Sequence, residues 1–450
     1  MNYAEFLDQK HQISGQFGFK PTFLPDILFD YQKYLIDWQL QKGRAALFAD
    51  TGTGKTPMEL VIAENIVRHT NKNVLILTPL AVAHQFIEAG EKFGVDIKRS
   101  RDGKPAGKIT VTNYQQLNKF DAKDFIGCIC DESSAIKNAT GQTRLDVTRF
   151  MNKLPYRTLA TATPSPNDFV ELGTSSEALG ELAYMDMVSQ FFRDTSNDKN
   201  PQWSTPKYVL KGHASEQFWR WVSSWARAMR KPSDLGFDDT ILTLPELIMN
   251  EHILQVTEPL PGELFVRKAH TLKEQRTERK LTLEARCSKV YDLVKGYDSS
   301  IVWGHYDYEC DLLESLISDS VQVSGRDTDD QKEEKFIAFE KGQVKRMIIK
   351  PTIGAWGLNW QHCNHQTFFP SHSYEQWYQG IRRSWRFGQK RKVFIDMVTT
   401  EGELGVFNNI KRKSEDANKQ FDMLIKHMNN ELIIKRASHQ NKSINLPTWL

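Results

Sequence analysis

The stretch Ala49-Asp50-Thr51-Gly52-Thr53-Gly54-Lys55-Thr56 gathers two glycines, a lysine and a threonine on one short run of chain. That combination suits phosphate chemistry. Gly52 and Gly54 let backbone N–H groups, that of Thr53 included, close around a polyphosphate; Lys55 can reach its terminal phosphates, and the Thr56 hydroxyl can ligate Mg²⁺. The strict G-x-x-x-x-G-K-[ST] pattern asks for glycine where Ala49 stands, so this is an alanine-led variant of the loop. Farther along, the apolar run Phe125–Cys130 ends abruptly in Asp131-Glu132. A strand that delivers two carboxylates to its end places Asp131 beside a divalent cation and Glu132 where it can orient or deprotonate a water. Each motif has an ordinary counterpart, a glycine turn with an exposed lysine or an acid-rich helix start. Together they point to Mg²⁺-dependent hydrolysis of a nucleoside triphosphate. No second acidic constellation offers a base to activate an acceptor, which argues against a kinase.

These side chains need a frame, and the hydrophobic pattern supplies one. The run Ala45–Phe48 precedes the loop, and Met58, Leu60, Val61, Ile62, Ile66 and Val67 follow it at helical spacing, so strand, turn and helix are expected. Asn73–Thr78, Phe125–Cys130 and Arg157–Thr161 read as further strands of a parallel sheet buried on both faces. Four such runs alternating with helical stretches predict an α/β domain over residues 1–168. From about Ser165 to Leu247 strand runs are lacking, aromatics abound and Asp194–Pro206 is polar, so 169–250 reads as a mostly helical insertion. Trp219, Trp221 and Trp225 are expected to form its small core. Lys207, Lys211, Arg220, Arg227, Arg230 and Lys231 offer the alternative of a nucleic-acid contact. Strand runs resume at Ser300–Trp303, Arg346–Ile349, Thr367–Phe369 and Val393–Met397, predicting a second α/β domain over 251–412. A helix and tail occupy 413–450.

Composition narrows the field without naming a partner. The balance of 59 basic against 56 acidic residues and the 40% hydrophobic content are those of a globular protein, not of a disordered or collagen-like chain. Five scattered cysteines indicate neither a disulfide framework nor a zinc site, and the histidines lack ligand spacing for a second metal. The start MNYAEFLDQKHQ has no leader pattern, and no apolar run approaches the roughly 20 residues of a membrane helix. A cytoplasmic protein with no membrane partner is the expectation.

The order of motifs resembles the superfamily-two helicases, and within them the Swi/Snf-type DNA-dependent ATPases in a compact bacterial or bacteriophage form. Tyr31-Gln32 resembles the adenine-recognition element, Thr78-Pro79 motif Ia, and Thr112-x-Tyr114 the next DNA-facing element. Asp131-Glu132 with Ile136-Lys137-Asn138 resembles D-E-A-H-x-I-K-N, and Thr161-Ala162-Thr163-Pro164 resembles motif III. In the second half, Trp303-Gly304-His305-Tyr306 stands where motif IV falls. Gly354-Ala355-Trp356-Gly357-Leu358-Asn359 resembles motif V, and Gln379 to Gln389 resembles motif VI, with Arg383 and Arg386 on its two arginines. Ser133-Ser134 replaces Ala-His, Arg382 replaces a glycine of motif VI, and Ala355 and Ile353 depart from motif V.

The resemblance implies an α/β fold of two RecA-like parallel-sheet domains in tandem, with the mostly helical insertion between them. ATP would be held by Gln32, Gly52, Thr53, Gly54, Lys55, Thr56, Gly357 and Gln379, and Mg²⁺ by Thr56 and Asp131. Lys55, Asp131, Glu132, Arg383 and Arg386 would be the catalytic groups. Three apart on a helix, the two arginines are expected to share a face and reach the γ-phosphate. Thr78, Thr112, Thr161, Thr163, His305 and Thr352 would contact DNA phosphates or couple the two sites. The implied activity is ATP-driven translocation along duplex or branched DNA in a bacterial or virus-infected cell. A strand-separating or branch-migrating helicase of replication, recombination or repair is one alternative. An ATP-switched nucleic-acid-binding scaffold is another, and a nuclease motor a third, although no nuclease cluster is present.

Overall fold

The computed structural model describes residues 15–166, 168–196, 207–255, 272–354, 357–370 and 373–440. Ala355 and Trp356, the start of the chain, Trp203 with most of the polar loop, and the last ten residues lie outside them. The chain divides into two compact units. The first comprises Met1–Thr78, Gln85–Asp239 and Ala417–Leu450, the second Pro79–His84 and Thr240–Asp416.

In the first unit β1 (Arg44–Ala49), β2 (Val74–Thr78), β3 (Ile97–Arg99), β4 (Ile109–Asn113), β5 (Gly127–Asp131) and β6 (Tyr156–Ala160) are joined by β9 (Ala226–Met229). They form a seven-stranded parallel sheet of order β3-β4-β2-β5-β6-β1-β9. β2, β4 and β5 are buried along their whole length; β2 and the Gly127–Cys130 part of β5 run apolar or small without alternation, whereas β4 alternates Ile, Thr, Val, Thr. In the register, Ala160 of β6 lies opposite both Leu47 and Asp131. The ends of β1 and β5 therefore flank the end of β6, at the carboxyl edge where parallel sheets bind ligands.

The stretch 169–250 is not a separate helical insertion. A short hairpin of β7 (Phe192–Asp194) and β8 (Tyr208–Leu210) leads to the helix Ser215–Trp225 and then to β9, which pairs with β1. Trp219, Trp221 and Trp225 share one core with Phe48, Leu77, Cys130 and Leu159 of the sheet. The sequence of β9, Ala-Arg-Ala-Met, carries no β-branched run; the open edge of β1 makes it a strand. Several of the basic residues are spent internally. The buried Arg227 guanidinium lies 4.4 Å from the Trp38 ring centroid, Lys211 donates to the Ser189 and Gln190 carbonyls, and Arg230 pairs with Asp422.

The second unit holds β10 (Leu247–Leu254), β11 (Ser300–Trp303), β12 (Ser320–Val323), β13 (Arg346–Ile349), β14 (His365–Phe368) and β15 (Val393–Thr400). They form a parallel sheet of order β10-β15-β14-β11-β13-β12. Its core is aromatic, with Trp303, Phe339, Trp360 and Phe368 buried together. The helix Leu404–Gln440 begins in this unit, burying Val406 and Ile410, and from Ala417 onward counts with the first, where Leu424 and Met428 are buried. The fold is thus α/β with two parallel sheets, as expected of tandem RecA-like domains. No described helix is long and apolar enough to cross a membrane.

Candidate nucleotide site

The loop 50–54 connects β1 to the helix Lys55–Thr70. Gly52 and Gly54 adopt φ of 87° and 83°, left-handed values that a side chain would strain. No side chain caps the helix and its first turn carries no acid, so its free N–H groups and positive end remain available to an anion. Three contacts hold the loop. Asp50 N donates to the Met229 carbonyl of β9 (2.9 Å), and the Tyr31 hydroxyl and Gln32 Nε2 both donate to the Thr53 carbonyl (3.0 and 3.1 Å). Gln32 also accepts from Phe29 N, so its amide is engaged at both ends with the protein. A Cβ on Gly54 would stand 2.2 Å from Gln32 Nε2 and displace that amide from the Thr53 carbonyl, besides straining the positive φ. Lys55 is folded onto its own loop, donating to the Ala49 and Asp50 carbonyls (3.0 and 3.4 Å), while Thr56 is half-buried beside it.

β5 brings up the carboxylates. Asp131 accepts the Thr78 hydroxyl at 2.9 Å, and its own carbonyl accepts the Tyr114 hydroxyl at 2.6 Å. Burial and the neighbouring Glu132 push the Asp131 carboxyl up to about 7, against the pull of Lys55 and Thr78. Glu132 has φ of 50°, left-handed for a residue with a side chain, and its carboxylate accepts the Thr161 hydroxyl at 3.3 Å. Thr161 in turn accepts from Thr163 N, and its own N–H donates to Leu47. Ser133 and Ser134 open a short 3-10 turn with both hydroxyls buried and without hydrogen-bond partners among the described residues.

Thr78, Thr112, Thr161 and Thr163, expected to contact DNA phosphates or to couple the two sites, are all buried. Thr78 ends β2, Thr112 stands one residue before the end of β4, and Thr161 and Thr163 follow β6. Thr78 and Thr161 hold the carboxylates, and the Thr112 hydroxyl has no hydrogen-bond partner among the described residues. Sequence reasoning missed two groups: Tyr114 as a support for Asp131, and Glu59, a buried carboxylate one helical turn after Lys55. The acid amid the helix's apolar spacing was the signal for Glu59.

In the second unit, the helix Tyr374–Ile381 ends before the paired arginines, so they do not share a helical face. Arg383 N turns back to Gly380 and Ser384 N to Ile381, tightening the chain into a turn. The two guanidinium groups still converge, both donating to the Leu358 carbonyl (2.9 and 3.1 Å). Arg383 is fully buried and also donates to the Gln379 carbonyl and side chain; Arg386 is half-buried, and burial draws it down to about 10 against the pull of Glu340. Gly357 has φ of 70°, and a Cβ there would overlap Val82. His305 Nε2 carries its proton and donates it to the Phe369 carbonyl (2.9 Å). Thr352 is exposed.

The charge and donor set of the first unit suit a magnesium nucleotide. Burial and Asp131 push the Glu59 carboxyl well above its ordinary range, and burial and Glu132 push Asp131 up to about 7; a divalent cation would relieve this crowding of buried acids. Among the described residues no cluster of three or more His, Cys, Asp or Glu could hold a metal alone. Mg²⁺ commonly takes one or two protein oxygens and fills its shell with water and phosphate.

Residues 26–165 match the family described as Type III restriction enzyme, res subunit, a helicase-superfamily-two-like ATPase domain. The match spans under a third of the chain and covers β1 to β6 with the loop and both carboxylates. No curated protein matches the chain.

Proposed function

We propose that this chain is an ATP-driven motor that couples hydrolysis to translocation along duplex or branched DNA, remodelling it or displacing bound protein. The observation that carries the reading is the convergence of the phosphate loop, Lys55, Asp131 and Glu132 at one end of one parallel sheet. The helicase-like family match over the same residues supports it.

The polyphosphate seats on the N–H groups of Gly52, Thr53, Gly54 and the helix start, with Gln32 beside the base. Lys55 exchanges the Ala49 and Asp50 carbonyls for the terminal phosphates. Thr56 and Asp131 would hold Mg²⁺, which when bound would supply positive charge against the phosphate oxygens. Glu132, fixed by Thr161, orients the attacking water and takes its proton. Gly357, Gln379, Arg383 and Arg386 are the second unit's proposed contribution, the arginines meeting the γ-phosphate. Such a contact exists only while that phosphate is present, so hydrolysis shifts the populations of the motor's states. His305 and the exposed Thr352 are the proposed nucleic-acid contacts.

The test is steady-state ATP hydrolysis without nucleic acid and with single-stranded DNA, linear duplex, a four-way junction or RNA, all at one salt concentration. Stimulation by duplex or junction is expected. Stimulation only by single strands or RNA overturns the track, and none at all favours the ATP-switched scaffold. Lys55→Ala and Glu132→Gln should each lower turnover by at least about 100-fold, the second still binding ATP. Arg386→Ala should lose on the order of 1000-fold in rate with nucleotide affinity kept; a wild-type rate removes it from the mechanism.

A further inference from the structure

We infer that a basic rim beside the edge strand β3, built from Arg99, Arg101, Lys104 and Lys119, is the surface on which the first unit grips a nucleic-acid backbone. The inference rests on the motor reading given above. Residues 97–108 hold five basic side chains against Asp102 alone, so this one stretch outweighs the whole chain's net charge of +3. Its backbone is pinned. β3 ends at Arg99, Ser100 N donates to the Val111 carbonyl of β4 (3.1 Å), and the Ser100 hydroxyl and Lys104 N both donate to Asp102 Oδ1 (2.8 and 3.1 Å). Lys119 Nζ donates to the Arg101 carbonyl (3.3 Å). Gly103, at φ of 85°, lies so close to Lys119 that a Cβ would stand 2.4 Å from its carbonyl oxygen. These contacts hold Arg101 to Lys104 against the segment that follows β4. Arg101, Lys104 and Lys119 are exposed, and Arg99 is half-buried.

The sheet sets where the rim lies. All strands of a parallel sheet end on one edge, so the end of β3 shares the edge that carries Thr78 and Asp131. The order β3-β4-β2-β5 puts three strand steps between the rim and the carboxylates, about 14 Å. That distance matches about four steps along a duplex axis. With the threonines of this edge buried, a backbone must be met by side chains that reach solvent, and the rim supplies them. Residues 113–119, which follow β4, contain no acid and add the exposed amides of Gln115 and Asn118, further donors to phosphate oxygens. Asp96 and Asp121, the nearest acids along the chain, lie 3.9 Å from Lys98 and Lys123 respectively. A grip of this kind reads charge and no base edge. It releases counterions on binding, and it lets the protein shift between equivalent positions along the track, as a translocating motor requires.

The experiment measures the anisotropy of a fluorescein-labelled DNA duplex of mixed sequence with the full chain, at KCl concentrations from about 50 to 200 mM. The quantity read is the slope of log affinity against log salt. Arg101→Ala and Lys104→Ala should each reduce its magnitude by about 0.9 and weaken binding about 8-fold at about 0.1 M salt. Arg101→Lys, which keeps the charge, should keep the slope. Lys72→Ala removes an exposed charge from the opposite edge of the same sheet and should bind as the wild type does. The contacts that pin the loop at residues 101 and 104 run through backbone atoms, so both alanine variants should melt with the wild type. A folded Lys104→Ala and Arg101→Ala with the wild-type slope overturn the proposal. So does an equal loss in Lys72→Ala, which would trace the effect to net charge alone. If the wild type binds neither this duplex nor a labelled single strand or RNA, the nucleic-acid reading falls and the rim with it. If it binds and only the slopes fail to move, that reading stands and the rim alone is removed.

Discussion

Glu132 and Asn71 are the only described residues other than glycine with positive φ, and only Glu132 lies at the site. A left-handed residue with a side chain costs about 1–3 kcal/mol and persists where surrounding structure enforces it. Here the kink follows the last residue of β5, and the carboxylate it carries meets Thr161 at the end of β6. Asp131 carries a cost of another kind. Its carboxyl titrates near 7 in the folded protein against an ordinary 3.8, because burial and Glu132 disfavour its charge. A group whose folded value is raised contributes stability that is complete below the unfolded value and is lost as pH rises through the folded one. The metal-free protein should therefore lose stability between about pH 4 and pH 7 through this residue. Asp131→Asn should remove that loss and raise the melting temperature by a few degrees at pH 8 in EDTA, while abolishing hydrolysis. An unchanged or lower melting temperature would show that Asp131 is not the burden.

At the scale of elements, the neighbouring strands of the second sheet share a buried polar relay. Ser300 of β11 meets His365 Nδ1 at 2.8 Å, and His365 Nε2 meets Asp396 of β15 at 2.8 Å. Asn250 and His252 of β10 bind the other oxygen of Asp396, and the Tyr297 ring stacks on His365 with centroids 3.7 Å apart. Burial holds His365 below its ordinary value, opposed by Asp396, while Arg346 and His252 add to the depression. The unfolded chain then binds the extra proton first. The relay's stability is complete above about 6.5 and is lost as pH falls below it, by up to about 1.4 kcal/mol per pH unit. Chemical unfolding between pH 7 and pH 5 should show this slope, and His365→Gln should flatten it. Equal slopes would place the titration elsewhere. The turn holding Arg383 and Arg386 is an element of the same kind, its shape set by a distant acceptor. Helical spacing predicts the two side chains on one face, and the Leu358 carbonyl unites them without a helix.

Taken whole, the chain is discontinuous in its first unit, which residues 417–440 re-enter after the second unit is complete. Leu424 joins the core beneath the first sheet, and Met428 Sδ accepts from Ala228 N of β9. Leu424→Ala or Met428→Ala should each cost about 2–5 kcal/mol, read as an earlier unfolding of the first unit by hydrogen exchange at its strands. Wild-type protection there would detach the helix from that core. The sequence by itself determined the two α/β sheets, their doubly buried strands and the order of loop, carboxylates and arginines. Those features are written in local periodicity and in residue types that have few other uses in such spacing. Only the tertiary structure decided that Ala226–Met229 is a strand, that Thr78 and Thr161 hydrogen-bond the carboxylates, and that Glu59 is buried with Asp131, Lys55 and Glu132 as its charged neighbours. Each depends on a partner far away in the chain: the open edge of β1, the carboxylates at the end of β5, and the ends of strands 70 residues apart or more in this chain, as from Lys55 to Asp131. Such partners leave no periodic trace in the sequence.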